Sequence, residues 1–205
     1  MRAPRLILAS GSPRRRELLS SAGFTFEIDV SDLDESIQDD EAPVAATSRL
    51  AIEKAQAVVA RRAGTPRSVE SPGGEVVLAA DTTVVIDGRI LGKPSDRADA
   101  ARMLLSLAGR NHVVLTAWAL LGIGAAAGGH ECGVSRSIVR MREISRREAE
   151  AYAAGGEPMD KAGAYAAQGE GRRFIGAIVG PLDNVIGLPM SPVTAALARR
   201  SVLPS

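Results

Sequence analysis

Two charged residues, one before and one after a predicted hairpin turn, could form part of a site for an anionic substrate. Asp81 ends an apolar run, and Lys93 follows the short extended segment after Asp87-Gly88. Asp-Gly between extended runs is a strong signal for a two-residue turn between antiparallel strands. Counting outward from this turn pairs position 81 roughly with position 94, so a carboxylate and an ammonium group are predicted to lie close together. An ordinary surface ion pair, contributing ~0–1 kcal/mol, is the alternative interpretation.

The N-terminal residues 5–19 have the pattern of a buried strand, a tight loop of small residues and a helix start. The apolar run at 6–9 is too short for a helix and suits a strand covered on both faces. Ser12 can cap the helix, and Pro13 takes the first helical position, where its missing N–H costs nothing. The loop would therefore direct backbone N–H groups and the positive end of the helix dipole at one point.

Arginines follow at once, although cations in the first turn normally destabilise a helix. Arg14 and Arg15 are both in that turn, and this misplacement indicates an anionic ligand. A run of three arginines is also typical of a solvated helix face. On that interpretation Arg15 and Arg16 are exposed and serve as controls for Arg14.

These features belong to a series of short motifs. In chain order the motifs are Ser10-Gly-Ser-Pro-Arg-Arg, Asp34-Glu35-Ser36, Arg49-Leu-Ala-x-x-Lys54-Ala, Ala80-Asp-Thr82, Gly92-Lys-Pro94, Asp160-Lys-Ala-Gly163 with Tyr165 and Gln168-Gly169, and Asn184-Val-Ile-Gly-Leu-Pro189. The series resembles the Maf family of nucleoside triphosphate pyrophosphatases from about residue 5 to residue 190. One tetrapeptide alone would mean little, whereas the ordered series is specific. Residues 181–183 depart from the family pattern at a turn, where they could reshape the pocket wall.

The resemblance implies hydrolysis of a nucleoside triphosphate between its α and β phosphates, with pyrophosphate as the leaving group. It assigns Asp81 to the attacking water, and Glu35 together with Asp81 to a divalent metal, Mg²⁺ or Mn²⁺. Magnesium retains several waters, so two carboxylates suffice beside substrate oxygens. Substrate binding is implied for Ser10, Arg14, Lys54, Thr82, Lys93 and Gln168.

Three positions resemble the family branch that hydrolyses dTTP and UTP, namely Gln168, Thr82 and Arg14. A neutral amide can accept a hydrogen bond from N3–H of uracil or thymine and donate one to O4. Cytosine presents the opposite pattern, and an amide could flip to meet it. Exclusion of CTP therefore depends on neighbours that hold Gln168 in one orientation.

Two alternatives to a dTTP/UTP pyrophosphatase stay open. One is the same chemistry on purine or 7-methylguanosine triphosphates. The other is a non-catalytic regulator of septum formation, which would need the basic residues but has no use for carboxylates at Asp81 and Glu35. A screen of nucleoside triphosphates would separate these possibilities.

Strands and helices mix without strict alternation, and the hairpin requires antiparallel pairing. The sequence therefore predicts a mixed α/β fold around one long twisted sheet. The resemblance implies the inosine-triphosphatase-like (Maf-like) arrangement, a single domain over residues 1–205 with two lobes around a cleft, often as a homodimer.

Several helices have clear start and stop signals. Pro43 opens a long helix to about position 62, with Val44, Ala51 and Val58 on its apolar stripe and Lys54 outside it. Ser95 or Asp96 caps the next helix, and Ser145-Arg-Arg-Glu148 is a capping box. Residues 63–75 are predicted to form a surface loop, residues 155–171 a candidate binding loop, and residues 181–189 a turn and a short buried run.

Composition and charge exclude several classes of protein. A chain of 205 residues is long enough to bury a sizeable core. Its net charge of +1 lacks the basic excess that is typical of nucleic-acid-binding proteins. No apolar run reaches the ~20 residues that a membrane helix needs. The single Cys132 cannot form an internal disulfide and no signal-peptide pattern is present, so a cytoplasmic location is expected.

Three weaker patterns point to other chemistry and are not favoured. His130-x-Cys132 lacks the second pair of ligands that a zinc site needs. The glycines at 122, 124 and 128 are not followed by the amphipathic helix of a dinucleotide site. His112 lacks a Ser or Cys partner at recognisable spacing and is interpreted as a structural strand residue, not a base.

Overall fold

The computed structural model describes residues 3–33, 35–38, 41–63 and 72–205. Asp34, Asp39, Asp40 and most of the loop predicted at 63–75 lie outside these residues. Within the described ranges the strands are β1 (Arg5–Leu8), β2 (Phe26–Ile28), β3 (Glu75–Ile86), β4 (Arg89–Leu91), β5 (Asn111–Ile123), β6 (His130–Met141) and β7 (Ile175–Val179). The α-helices of the same ranges are α1 (Pro13–Ser21), α2 (Pro43–Arg62), α3 (Arg97–Leu107), α4 (Arg146–Ala154), α5 (Leu182–Ile186) and α6 (Met190–Arg199).

The seven described strands form one mixed sheet with the order β2-β1-β3-β5-β6-β7, and β4 pairs with β3. Strand β1 runs parallel to both of its neighbours, with Leu6 opposite Phe26 on one side and Val76 on the other. Strands β4 and β7 pair antiparallel with β3 and β6. The predicted mixed α/β fold around one sheet is confirmed.

Contacts divide the chain into two compact units. The first unit comprises Met1–Asp81, Ala117–Val134 and Gly187–Ser205, and the second comprises Thr82–Thr116 and Ser135–Ile186. The boundary within β3 therefore falls between two residues of the predicted site, Asp81 and Thr82.

Strand β1 is covered on both faces, as its unbroken apolar sequence predicts. Leu8 belongs to a cluster with Leu197 of α6, whereas Ile7 packs in a separate cluster with Val58 of α2. Leu8 and Ile7 are both 0% exposed. The loop that starts at Ser10 is thus anchored to a fully buried strand.

The core of the second unit lies around helices α3 and α4. Leu104 of α3 and Tyr152 of α4 share one cluster with Phe174 and Met141. The rings of Tyr152 and Phe174 meet edge to face, with centroids 5.2 Å apart. Helix α4 is therefore fixed by an aromatic contact at its C-terminal end.

The local start and turn signals are confirmed at three places. Asp96 caps α3 by accepting from Asp99 N, and Ser145 forms the complete capping box with Glu148. Asp87 and Gly88 have φ angles of 51° and 75°, as a tight hairpin turn between right-twisted strands requires.

The β3–β4 ladder is shorter than the prediction assumed. Its pairs run from Ile86–Arg89 to Val84–Leu91, where β4 ends. The inferred pairing of positions 81 and 94 lies beyond this ladder. The proximity of Lys93 to Asp81 therefore stays a prediction.

Three local predictions differ from the structure. Val44 is 52% exposed and does not belong to the apolar stripe of α2. Residues 182–186 form the short helix α5, within the segment 181–189 that was predicted to be a turn and a short buried run. Ser12 occupies the capping position of α1, as predicted, but its side chain makes no capping hydrogen bond. Among the described residues, no helix is long and apolar enough to cross a membrane.

Candidate functional site

A buried ammonium group contacts two carboxylates in the first unit. Lys54 Nζ lies 2.5 Å from Asp81 Oδ1 and 2.8 Å from Glu35 Oε1. Lys54 and Asp81 are 6% and 7% exposed, whereas the Glu35 side chain is 43% exposed. Three of the predicted site residues, from distant parts of the sequence, are thus brought together.

The position of Lys54 differs from the sequence prediction, which left it outside the apolar stripe. It lies on the buried face of α2 together with Leu50, Ala51 and Val58. These residues are three or four positions from Lys54 and so share its side of the helix. The only lysine of this helix therefore lies on its core face. Its ammonium group needs a buried partner there, since an uncompensated buried charge is costly.

Arg15 makes contacts that the sequence interpretation missed. Its Nε donates to the carbonyl oxygen of Gly187 at 2.8 Å, and its Nη1 donates to Ser10 Oγ at 3.0 Å. Burial lowers the pKa of this guanidinium, and the negative charges of Asp81 and Glu35 oppose the shift. We group Arg15, on which the charges of Asp81 and Glu35 act, with Lys54, Asp81 and Glu35, and call these four residues the charged cluster.

The expectation that Arg15 is a solvated control is consequently wrong. Helical spacing contains the missed signal, because position 15 lies one turn before Leu19, which is 0% exposed. Ser10 is itself 6% exposed and accepts from Ser12 N at 3.3 Å as well as from Arg15. Arg14 is half-buried at the same helix start.

The second unit contains the other predicted site residues, which are described there by themselves. Thr82 is half-buried, and its hydroxyl lies 3.0 Å from that of Thr116, which donates to the Asn184 carbonyl at 2.8 Å. Asn184 is 0% exposed, and its amide donates to Val114 and Ser137. A buried polar network therefore supports Thr82.

Lys93 and Gln168 are both exposed. The loop that carries Gln168 is held from within the second unit by Tyr165, whose hydroxyl lies 2.7 Å from His112 Nε2. Burial lowers the pKa of His112 to about 4. His112 is accordingly neutral at physiological pH and supports the loop through Tyr165, in keeping with its structural interpretation.

The two carboxylates of the charged cluster are ligands of the type that a hard cation prefers. One oxygen of Asp81 and one of Glu35 lie within 2.8 Å of a single nitrogen, so the two carboxylates are close enough to share an ion. Across the described ranges, no group of three or more His, Cys, Asp or Glu residues could hold a metal. Two carboxylates fit Mg²⁺, which fills its remaining positions with water and substrate oxygens, better than they fit zinc.

The mixed sheet and the buried lysine that contacts two carboxylates define an α/β protein with a charged candidate site. The chain belongs to the family described as Maf-like protein, whose model matches residues 5–200.

Named relatives cover nearly the whole chain. The chain is 45% identical over 202 residues to a dTTP/UTP pyrophosphatase from Anaeromyxobacter dehalogenans strain 2CP-1, covering 98% of this chain and 96% of that protein. It is 45% identical over 185 residues to a dTTP/UTP pyrophosphatase from Symbiobacterium thermophilum, with coverage of 90% and 88%. Among solved structures, a HAM1 protein from Coxiella burnetii is similar at 17% identity and a TM-score of 0.40, covering 67% of this chain and 73% of that one.

Proposed function

We propose that the protein is a nucleoside triphosphate pyrophosphatase that hydrolyses dTTP and UTP to the monophosphate and pyrophosphate. The observation that carries this proposal is the charged cluster, in which Lys54 contacts both Asp81 and Glu35. Membership of the Maf-like family and the names of its relatives supply the class of substrate. The physiological role would be house-cleaning of nucleotide pools.

The chain's own residues divide the work of hydrolysis between charge neutralisation and activation of water. Arg14, Lys54 and Lys93 would neutralise the triphosphate, the arginine through its planar fork and the lysines as point charges. Asp81 would orient the attacking water or accept its proton as a general base. Arg15 has five N–H donors, so it can hold Ser10 and also add positive charge beside the phosphates.

Asp81 and Glu35 would hold a divalent metal, Mg²⁺ or Mn²⁺, through their carboxylate oxygens. When bound, such an ion polarises phosphorus and offsets charge on the phosphate oxygens. Lys54 contacts one oxygen of each carboxylate. It therefore keeps the pair together and compensates their charge before substrate binds.

Base recognition would depend on Gln168 and Thr82 in the second unit. Arg14 is the third position at which the chain resembles the family branch that hydrolyses dTTP and UTP. The Gln168 amide offers the donor and acceptor that an imide edge requires.

We further propose that the chain functions as a single Maf-like domain over residues 1–205, as a cytoplasmic homodimer that does not bind nucleic acid.

The decisive experiment is a screen of purified protein against nucleoside triphosphates with Mg²⁺ or Mn²⁺, scoring pyrophosphate and monophosphate. We expect dTTP and UTP to be hydrolysed, and excess chelator to abolish the activity. Equal hydrolysis of purine or 7-methylguanosine triphosphates would overturn the branch assignment. No hydrolysis of any nucleotide would favour the regulator of septum formation instead, and full activity in chelator would remove the metal from the scheme.

Changing Gln168 to Glu is expected to lower kcat/KM for dTTP and UTP by about tenfold or more. A carboxylate can only accept hydrogen bonds, so it cannot donate to O4 of the base, and a mismatched polar group is strongly rejected. Steady-state kinetics of pyrophosphate release measure the effect. Gln56→Glu, an exposed change of the same kind on α2, is the control, and an equal loss in both variants would refute the role of Gln168.

Arg15→Ala is expected to lower kcat/KM by about 10- to 100-fold, since hydrogen bonds to charged groups contribute roughly 1.5–3 kcal/mol. Arg16→Ala, the neighbouring change on α1, should stay within about threefold of wild type, because Arg16 is half-buried like Arg15 but has no role in the proposed site. Kinetics and melting temperature are measured together for both variants. Equal activities of the two variants would show that Arg15 has no role in the site.

A further inference from the structure

Two side chains outside the segment that carries Gln168 bind both of its ends. We define residues 166–171 as the Gln168 loop. Ala166 N donates to Tyr152 Oη at 3.1 Å. At the other end, the N–H groups of Glu170 and Gly171 donate to the two carboxylate oxygens of Glu157 at 3.1 and 2.9 Å. Gln168 thus lies midway between two anchored positions.

The two anchors are themselves joined, because the Tyr152 hydroxyl donates to Glu157 Oε2 at 2.5 Å. The hydroxyl can therefore only accept from Ala166, so hydrogen bonds run in one direction from the loop to the carboxylate. Tyr152 is 1% exposed and packs against Phe174, which fixes its ring. One rigid Tyr152–Glu157 pair holds both ends of the loop.

The charge of Glu157 suits this role. Burial opposes ionisation of Glu157, but hydrogen bonds from Tyr152 and from the backbone of Gly171 outweigh it and lower its pKa. Both oxygens are therefore acceptors at neutral pH, and three donors converge on them. Hydrogen bonds to an ionised acceptor are about twice as strong as neutral ones.

Gly169 shows how closely the loop approaches this pair. Its φ of 81° and ψ of −153° lie in a region that is essentially restricted to glycine. A Cβ at this position would also collide with Glu157 Oε1. The residue after Gln168 must therefore be glycine for the loop to close onto Glu157.

We propose that Glu157 and Tyr152 are positioning residues that hold Gln168 for recognition of the pyrimidine base, an inference that rests on the proposed function. Neither side chain has to touch substrate. They act by fixing the backbone two residues before and two residues after Gln168. This restriction holds in one conformation the backbone from which the Gln168 side chain extends.

A double-mutant cycle with UTP as substrate tests the positioning role. We expect Glu157→Gln and Tyr152→Phe each to raise KM for UTP by roughly tenfold with a smaller change in kcat, since small misplacements of binding groups are costly. In a Gln168→Ala background the same changes should have little further effect, because contacts acting through one residue are not additive. Glu150→Gln, an exposed change on α4, should leave KM unchanged.

Amide hydrogen exchange of the ligand-free protein tests the anchoring without any activity. Exchange at Glu170 and Gly171 should accelerate about tenfold or more in Glu157→Gln, and exchange at Ala166 in Tyr152→Phe, because local opening becomes easier. Unchanged exchange, unchanged KM, or effects on KM that add fully to Gln168→Ala would each overturn the inference. If wild-type protein does not hydrolyse UTP, the proposed function itself fails, whereas activity with additive effects overturns the positioning role alone.

Discussion

Replacing Asp81 by Asn is expected to lower the turnover of dTTP and UTP by about 10²- to 10⁴-fold, the range of general-base contributions. Asparagine keeps the size of the side chain but can neither accept a proton nor offer a charged oxygen to a metal. The loss should therefore appear in kcat, at saturating substrate and metal. Release of pyrophosphate under these conditions is the measurement.

Folding has to be separated from chemistry in this experiment, because Asp81 is 7% exposed and contacts Lys54. Circular dichroism and the melting temperature of Asp81→Asn show whether the fold is retained. Asp32→Asn, the same change at an exposed position, is the matched control and should keep wild-type turnover. Activity of Asp81→Asn within tenfold of wild type would rule out the assignment of Asp81 as the base.

Features set by neighbouring residues were predictable from the sequence. The capping box at Ser145 and the turn at Asp87-Gly88 depend on contacts across two or three positions, and the structure has both as predicted. The start of α2 at Pro43 and the coverage of β1 on both faces follow equally from local pattern. Such signals depend on residues that are close in the sequence, although the Ser12 side chain shows that a local capping signal is not always used.

Contacts across the sequence were not predictable from the residues alone. The helical spacing of Lys54 from Leu50 and Val58 places it on the apolar face of α2, but it does not identify Asp81, 27 positions away, as its partner. Arg15 looked like part of a solvated run because its neighbours are also arginines. Its partners, Ser10 and Gly187, lie 5 and 172 positions away. Glu157 had no sequence signal, since its acceptor role depends on how a glycine-rich loop closes.

Lys54→Met should have the largest combined effect on activity and stability, because it removes the ammonium that Asp81 and Glu35 share. Methionine approximates the length of the lysine stem, so packing on the core face of α2 is largely kept. Breaking a buried ion pair from one side costs about 3–5 kcal/mol, which is about 6–20 °C of melting temperature for a chain of this size. Arg61→Met on the same helix removes an exposed cation paired with Asp29 and should cost only ~0–1 kcal/mol.

The stability of the Lys54→Met/Asp81→Asn double variant shows whether the two residues form one energetic unit. If they do, the double variant should be more stable than the sum of the single losses predicts, with a coupling of about 0.5–3 kcal/mol. Its activity should remain as low as that of Asp81→Asn, because restoring the charge balance does not restore the base. In Lys54→Met alone, affinity for triphosphate should fall far more than affinity for monophosphate, since contacts to the β and γ phosphates are lost. If the losses of stability are additive, the two residues do not form one energetic unit. If the binding of triphosphate and of monophosphate weakens equally, Lys54 has a structural role only.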